Sequence, residues 1–129
     1  MSQAVWIVDA SALLATINAE PGSDFVEQRI AECCVSSINW AEVLQKMARN
    51  GMDAPLVESM LLALGLQIVD FTAADSRIAA SLWEMSKPLG LSLADRACLA
   101  TAIRLHCPVI TADKIWKLLD IGVDIHLIR

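Results

Sequence analysis

Two short apolar runs in this chain each end on an aspartate and lead into a helical pattern. They are Val5-Trp6-Ile7-Val8-Asp9 and Pro108-Val109-Ile110-Thr111-Ala112-Asp113. In an open parallel sheet, ligands bind beyond the carboxyl ends of the strands. Two carboxylates delivered to that edge from distant parts of the sequence can meet there. Close together, they repel until a divalent cation joins them: at 4 Å and an effective dielectric of 20 the repulsion is roughly 4 kcal/mol.

The rest of the chain supports such a sheet. Short apolar runs at 4–8, 34–38, 66–70, 108–111 and 124–128 are expected strands. Helical patterns cover 10–18, 23–32, 39–49, 54–64, 73–86, 93–106 and 114–120. Pro21-Gly22, Asn50-Gly51 and Lys87-Pro88-Leu89-Gly90 punctuate them. Strands alternating with helices imply crossovers and a parallel sheet covered on both faces, an α/β fold. At 129 residues one domain, 1–129, is expected. The chain is 56% hydrophobic, yet no stretch reaches the ~18 uncharged residues of a membrane span, and no export signal is seen. Such apolarity favours a surface covered by another chain. The pattern 54–64 carries one charge, Glu58, and is expected to be buried or covered by a partner.

Net charge is −5, which argues against a protein that coats nucleic acid by neutralising phosphates and favours a basic partner. Cys33, Cys34, Cys98 and Cys107 form no C-x-x-C pair and read as core residues of a reducing, cytoplasmic compartment. No P-loop, G-x-G-x-x-G or G-x-S-x-G is present. The four tryptophans read mainly as core, His106 as a helix C-terminal residue and His126 as a strand residue.

Four acids stand out: Asp9, Glu42, Asp95 and Asp113. Each also has a structural explanation, because Asp9 and Asp113 suit N-caps, and Asn39-x-x-Glu42 and Ser92-x-x-Asp95 suit capping boxes. Thr72-x-x-Asp75 has the same pattern and serves as an internal control, expected to be only a cap or a peripheral residue. Asp95 differs by sharing a helix face with Cys98, Leu99, Ala102 and His106. Glu42 has apolar neighbours. A carboxylate aimed inward needs a partner, and Arg96 and Lys114, sequence neighbours of Asp95 and Asp113, do not face them. Oxygen-only ligands suit Mg²⁺ or Mn²⁺. Ser11 and Thr111 could orient a carboxylate, whereas Ser37 suits a local cap. Arg96 or Lys114 could contact phosphate, though surface solvation suits both.

Taken in order, Val8-Asp9-Ala10-Ser11, Ser37-Ile38-Asn39-Trp40-Ala41-Glu42-Val43, Ser92 to Ala100 and Val109 to Trp116 resemble a PIN domain, more narrowly the VapC-type toxins of bacterial toxin–antitoxin modules. The resemblance implies an α/β/α sandwich with a short, mostly parallel central sheet of four or five strands flanked by helices. It implies a Mg²⁺- or Mn²⁺-dependent endoribonuclease and places the family's acids on Asp9, Glu42, Asp95 and Asp113. Asp9, Asp95 and Asp113 would hold metal, with Ser11 and Thr111 supporting. It implies a VapB-type antitoxin as partner, RNA as substrate, and a homodimer or toxin–antitoxin hetero-oligomer. Two alternatives stay open: a Mg²⁺-dependent phosphoryl-transfer or receiver domain with Asp9 as acceptor, and a non-catalytic interaction module.

Overall fold

The computed structural model describes residues 5–129, so the start of the expected 4–8 strand lies outside the described residues. Five strands form one sheet: β1 (Trp6–Val8), β2 (Cys33–Ser36), β3 (Gln67–Val69), β4 (Val109–Thr111) and β5 (Ile125–Leu127). Their spatial order is β3-β2-β1-β4-β5, and every pairing is parallel. Ile7 and Val8 show how such short strands hold. Both are fully buried, and alternation sends them to opposite faces, where each joins a different core cluster.

On one face, α1 (Ala10–Ile17), α2 (Ser23–Glu27), α3 (Ser37–Arg49) and α4 (Ala54–Ala63) supply Leu13, Val26, Trp40, Val43, Met47 and Leu61. On the other, α7 (Leu93–Leu105) supplies Cys98, Leu99 and Ala102 beside Trp116, with α5 (Ala73–Ser81) and α6 (Trp83–Ser86) outside it. The arrangement is the expected α/β/α sandwich. The chain runs outward from β1 to β3, then returns to the other side of β1 as β4 and β5. The reversal lies between β1 and β4, a topological switch point whose carboxyl end is where open α/β sheets bind ligands. The two runs ending on Asp9 and Asp113 are these two strands.

Several local expectations need correction. The pattern 23–32 divides into α2 and a 3₁₀ turn at Ile30–Glu32, separated by Arg29 at φ −116°. The pattern 73–86 divides at Leu82, and 114–120 is a 3₁₀ turn, Lys114–Leu118. The third helix begins at 37, not 39, because Ser36 caps it; Asn39-x-x-Glu42 is therefore no capping box but an interior pair. Ser37 is not a local cap either. Its hydroxyl accepts from the Phe71 N–H at 3.1 Å, tying the exit of β3 to α3. Trp40 and Trp116 are core, Trp6 is half-buried, and Trp83 is exposed with the Lys87 ammonium over its ring. Helix α4 is only partly buried: Leu61 is fully covered and Ala54 and Val57 pack against the core, while Leu56, Met60 and Leu62 face solvent. Asp53 caps its start, Pro55 sits in its first turn, and Glu58 accepts from the Trp40 indole N–H at 2.6 Å.

Candidate active site

The carboxyl ends of β1 and β4 are joined by a hydroxyl network. Asp9 ends β1 and caps α1, accepting from the Ala12 N–H at 2.8 Å. Ser11 donates toward the same carboxylate, 2.8 and 2.9 Å from its two oxygens, and Thr111 at the end of β4 donates to it as well, its hydroxyl 3.3 Å from that of Ser11. The Ser11 hydroxyl also accepts from the Ala112 N–H, and Thr111 Oγ1 accepts from the Asp113 N–H, both at 3.0 Å. These bonds fix Asp113 relative to Asp9 across residues a hundred positions apart. Ser11 and Thr111 are thus bonded to the acids they were expected to support.

Glu42 reaches the same edge from α3 and Asp95 from the first turn of α7. Asp95 completes a capping box with Ser92, its carboxylate accepting from the Ser92 N–H at 2.9 Å. Its helix face continues inward through Cys98, Leu99 and Ala102, all buried, but His106 is exposed at the C-cap. Asn39 locks the two helices together: its amide donates to the Ala94 carbonyl at 2.9 Å and to Glu42 at 3.1 Å. The outcome is one cavity of about 160 Å³ lined by Asp9, Ser11, Asn39, Glu42, Lys46, Asp95 and Asp113 among others. All four singled-out acids line it.

Electrostatically the cavity is under-compensated. Asp9 is only 5% exposed and has no ion pair among the described residues. Burial pushes its carboxyl up from 3.8 to about 6; the Thr111, Ala12 and Ser11 hydrogen bonds oppose that rise, and the Asp95 charge adds to it. The control residue behaves differently. Asp75 caps α5 in a capping box, as expected, but is fully buried rather than peripheral, and its carboxylate is clasped by Arg104. Burial alone would raise it, yet the hydrogen bonds from Arg104 and Thr72 hold it below its usual value.

The donor set fits a hard divalent cation. All four acids offer oxygen, and the buried Asn39 Oδ1 has no hydrogen-bond partner. Among the described residues, no three His, Cys, Asp or Glu close into a tight cage. Mg²⁺ does not require one, since it retains several waters and takes one or two carboxylates directly.

Neither Arg96 nor Lys114 lines the cavity. Arg96 turns away, donating to the Ala79 carbonyl at 3.0 Å, so it is not simply solvated. Without Lys114 the cavity lacks the late-strand lysine that a phospho-acceptor site needs. Sequence reasoning missed Asn39 and Lys46. Their signal was spacing: they stand three residues before and four after Glu42, on one face of α3. Cys33, Cys34 and Cys98 are buried and unbridged. Burial pushes the first two thiols up to about 12 and raises the third, so they are core residues without nucleophilic character.

The profile of the PIN domain matches residues 6–122, nearly the whole chain. The chain belongs to the PIN-domain family. No curated protein matches its sequence. Among solved structures, this PIN domain is similar to a chain of a toxin–antitoxin complex from Klebsiella pneumoniae at 21% identity, with TM-score 0.73 and coverage of 91% of this chain and 93% of that one. It is similar to a chain of DNA-bound VapBC from Salmonella typhimurium at 15% identity, with TM-score 0.74 and full coverage of both. It is also similar to VapC20 of Mycobacterium tuberculosis, described as a sarcin–ricin loop cleaving toxin, at 16% identity, TM-score 0.71, and coverage of 92% and 98%. At these identities the likeness establishes the fold. Among the described residues no helix is long and apolar enough to cross a membrane.

Proposed function

We propose that this PIN domain is a Mg²⁺- or Mn²⁺-dependent endoribonuclease of the VapC type, restrained by a VapB-type antitoxin. One observation carries the reading: carboxylates from β1, α3, α7 and the turn after β4 line a single cavity at the topological switch point, with Lys46 the one basic side chain among its lining residues. Asp9, Asp95 and Asp113 would hold the cation, directly or through water, and Glu42, steadied by Asn39, would orient the attacking water. When bound, such a cation supplies an activated water and neutralises charge at phosphorus. Ser11 and Thr111 keep the Asp9 carboxylate aimed, and Lys46 is placed to meet a phosphate oxygen.

The antitoxin assignment draws on the exposed Leu56, Met60 and Leu62 of α4, an apolar strip suited to a partner segment, and on the net charge of −5, suited to a basic one. The neighbours described as toxin–antitoxin and VapBC complexes agree with it.

Purified chain incubated with total RNA should cut it in Mg²⁺ or Mn²⁺ and stop in EDTA. Asp113→Asn should abolish cutting while leaving the circular dichroism spectrum unchanged. Cutting that persists in EDTA, or in Asp113→Asn, contradicts the mechanism. Growth arrest on expression, relieved by a neighbouring small open reading frame, tests the partner.

A further inference from the structure

Two exposed bases, Lys46 and Arg49, stand in the last turn of α3. Elsewhere Arg104 and Arg129 pair with Asp75 and Glu20, and Arg96 donates to the Ala79 carbonyl. Lys46 and Arg49 make no ion pair or hydrogen bond among the described residues. Basic residues at a helix C-terminus complement its dipole. That demand is met equally from any side of the helix, yet only one side is charged here. Successive positions turn by about 100°, so Lys46 and Arg49 continue the flank of α3 that carries Glu42. Lys46 lines the acidic cavity itself. Ala41, Gln45 and Ala48, exposed positions turned away from that flank, carry no charge.

The path these bases mark is free of carboxylates. Helix α1 starts after Asp9 and α3 after β2, and the two run back from the cavity packed side by side. Helix α1 holds no charged residue along Ala10–Ile17, and α3 holds no acid after Glu42. The chain as a whole has fifteen acids and a net charge of −5. A corridor without acids and with two unpaired bases, opening from the cavity, therefore suits an anionic strand and not a basic one. Along the helix axis Lys46 lies about 6 Å beyond Glu42, and Arg49 about 4.5 Å beyond Lys46. Their long side chains make a ladder of two positive charges leading out of the cavity.

We propose that this flank of α3 carries the backbone of the RNA strand away from the cut: Lys46 holds the phosphate next to the one at the cation, and Arg49 holds the phosphate beyond it. The proposal rests on the ribonuclease reading above and extends it from one phosphate to three. Lysine meets a phosphate as a point charge, whereas the Arg49 guanidinium grips two oxygens of its phosphate at once. Both contacts are to the backbone, so the track sets the register of the strand at the cavity without reading a base. A substrate must therefore extend at least two nucleotides to one side of the cut.

The test measures the anisotropy of a short single-stranded RNA with the full chain in EDTA, so that the strand stays intact, over a series of monovalent salt concentrations. Each phosphate contact contributes about 0.7 to the slope of log affinity against log salt. Lys46→Met and Arg49→Met should each flatten the slope by about that amount, and Arg49→Lys should restore it. Arg77→Met removes an exposed base from α5 and should leave the slope parental. Melting curves check that every variant folds. The inference is overturned by three results: no binding at low salt, a slope that Lys46→Met or Arg49→Met leaves unchanged, or one that Arg77→Met flattens equally. Each counts even if the strand is cut when Mg²⁺ is restored. Slopes that flatten as expected, without any cutting, leave the track standing and overturn the hydrolytic reading instead. If Arg49→Met keeps the parental slope but weakens a complex with the product of the neighbouring small open reading frame, the flank is a protein contact and the inference fails.

Discussion

Asp9 and Asp75 are both buried aspartates at helix starts, and their surroundings drive them in opposite directions. Asp75 meets Arg104 from α7 and is held ionised below its usual value. Asp9 meets only hydroxyls, one backbone N–H and the negative field of Asp95, and rises to about 6. One acid is neutralised by a guanidinium of the same chain, and the other is met by neutral donors. A fold that needed Asp9 merely as a cap would gain by making it serine or asparagine, since both cap as well without burying a charge. The contrast separates a carboxylate paired within the protein from one with no cationic partner among the described residues.

The largest effect that separates them is on chemistry. Asp9→Asn should lower RNA cleavage by about a thousandfold, the scale of several kcal/mol of lost transition-state stabilisation. Its melting temperature without metal should be no lower than the parent's, whereas cleavage at the parental rate would remove Asp9 from the mechanism. Next comes the pH dependence in metal-free buffer. The folded Asp9 value of about 6 lies above its unfolded 3.8. Between pH 4 and 6 the folded chain keeps a proton that the unfolded chain has released, so stability falls as pH rises through that window, by about 3 kcal/mol in total. Asp75 runs the other way: its contribution is present above pH 3.8 and disappears as pH falls through its lower folded value. Denaturant titrations across pH should show the first slope vanish in Asp9→Asn and survive in Asp75→Asn. Asp75→Asn should itself cost roughly 2–3 kcal/mol, because Arg104 loses its carboxylate, while cleavage per folded molecule stays parental. Smallest is Thr111→Val, at about 1 kcal/mol. Losing that hydrogen bond raises Asp9 further, so the declining window should extend upward in pH.

Much of this was legible before any coordinates. The alternation that buries Ile7 and Val8 on opposite faces, and the aspartates ending β1 and β4, follow from apolar runs and their terminators. The order β3-β2-β1-β4-β5 does not, because no local signal says that the chain returns across β1. The gathering of Asp9, Glu42, Asp95 and Asp113 depends on that return, so residue type and helix-start placement could nominate them and the family resemblance could order them. Asp75 carried the same Thr-x-x-Asp signature as the Ser-x-x-Asp of Asp95. Only the position of Arg104, a helix away, assigns one to structure and leaves the other at the cavity. Asn39 was hidden because its spacing to Glu42 suggested a cap, while Ser36 supplies the cap and leaves Asn39 free to bridge to Ala94. The outward face of α4 was undecidable from composition, since an apolar helix can be buried by its own domain or by another chain.

Central to the proposed function is a cation held by Asp9, Asp95 and Asp113 in the cavity that Glu42 also lines at the β1–β4 edge. Crystals grown or soaked with Mn²⁺ and recorded above the manganese absorption edge read it directly. The account predicts an anomalous peak within the cavity of Asp9, Glu42, Asp95 and Asp113, with at least one carboxylate oxygen as a direct ligand, and no such peak in Asp9→Asn. Saturating Mn²⁺ with no density in that cavity, or with the ion bound elsewhere, contradicts it.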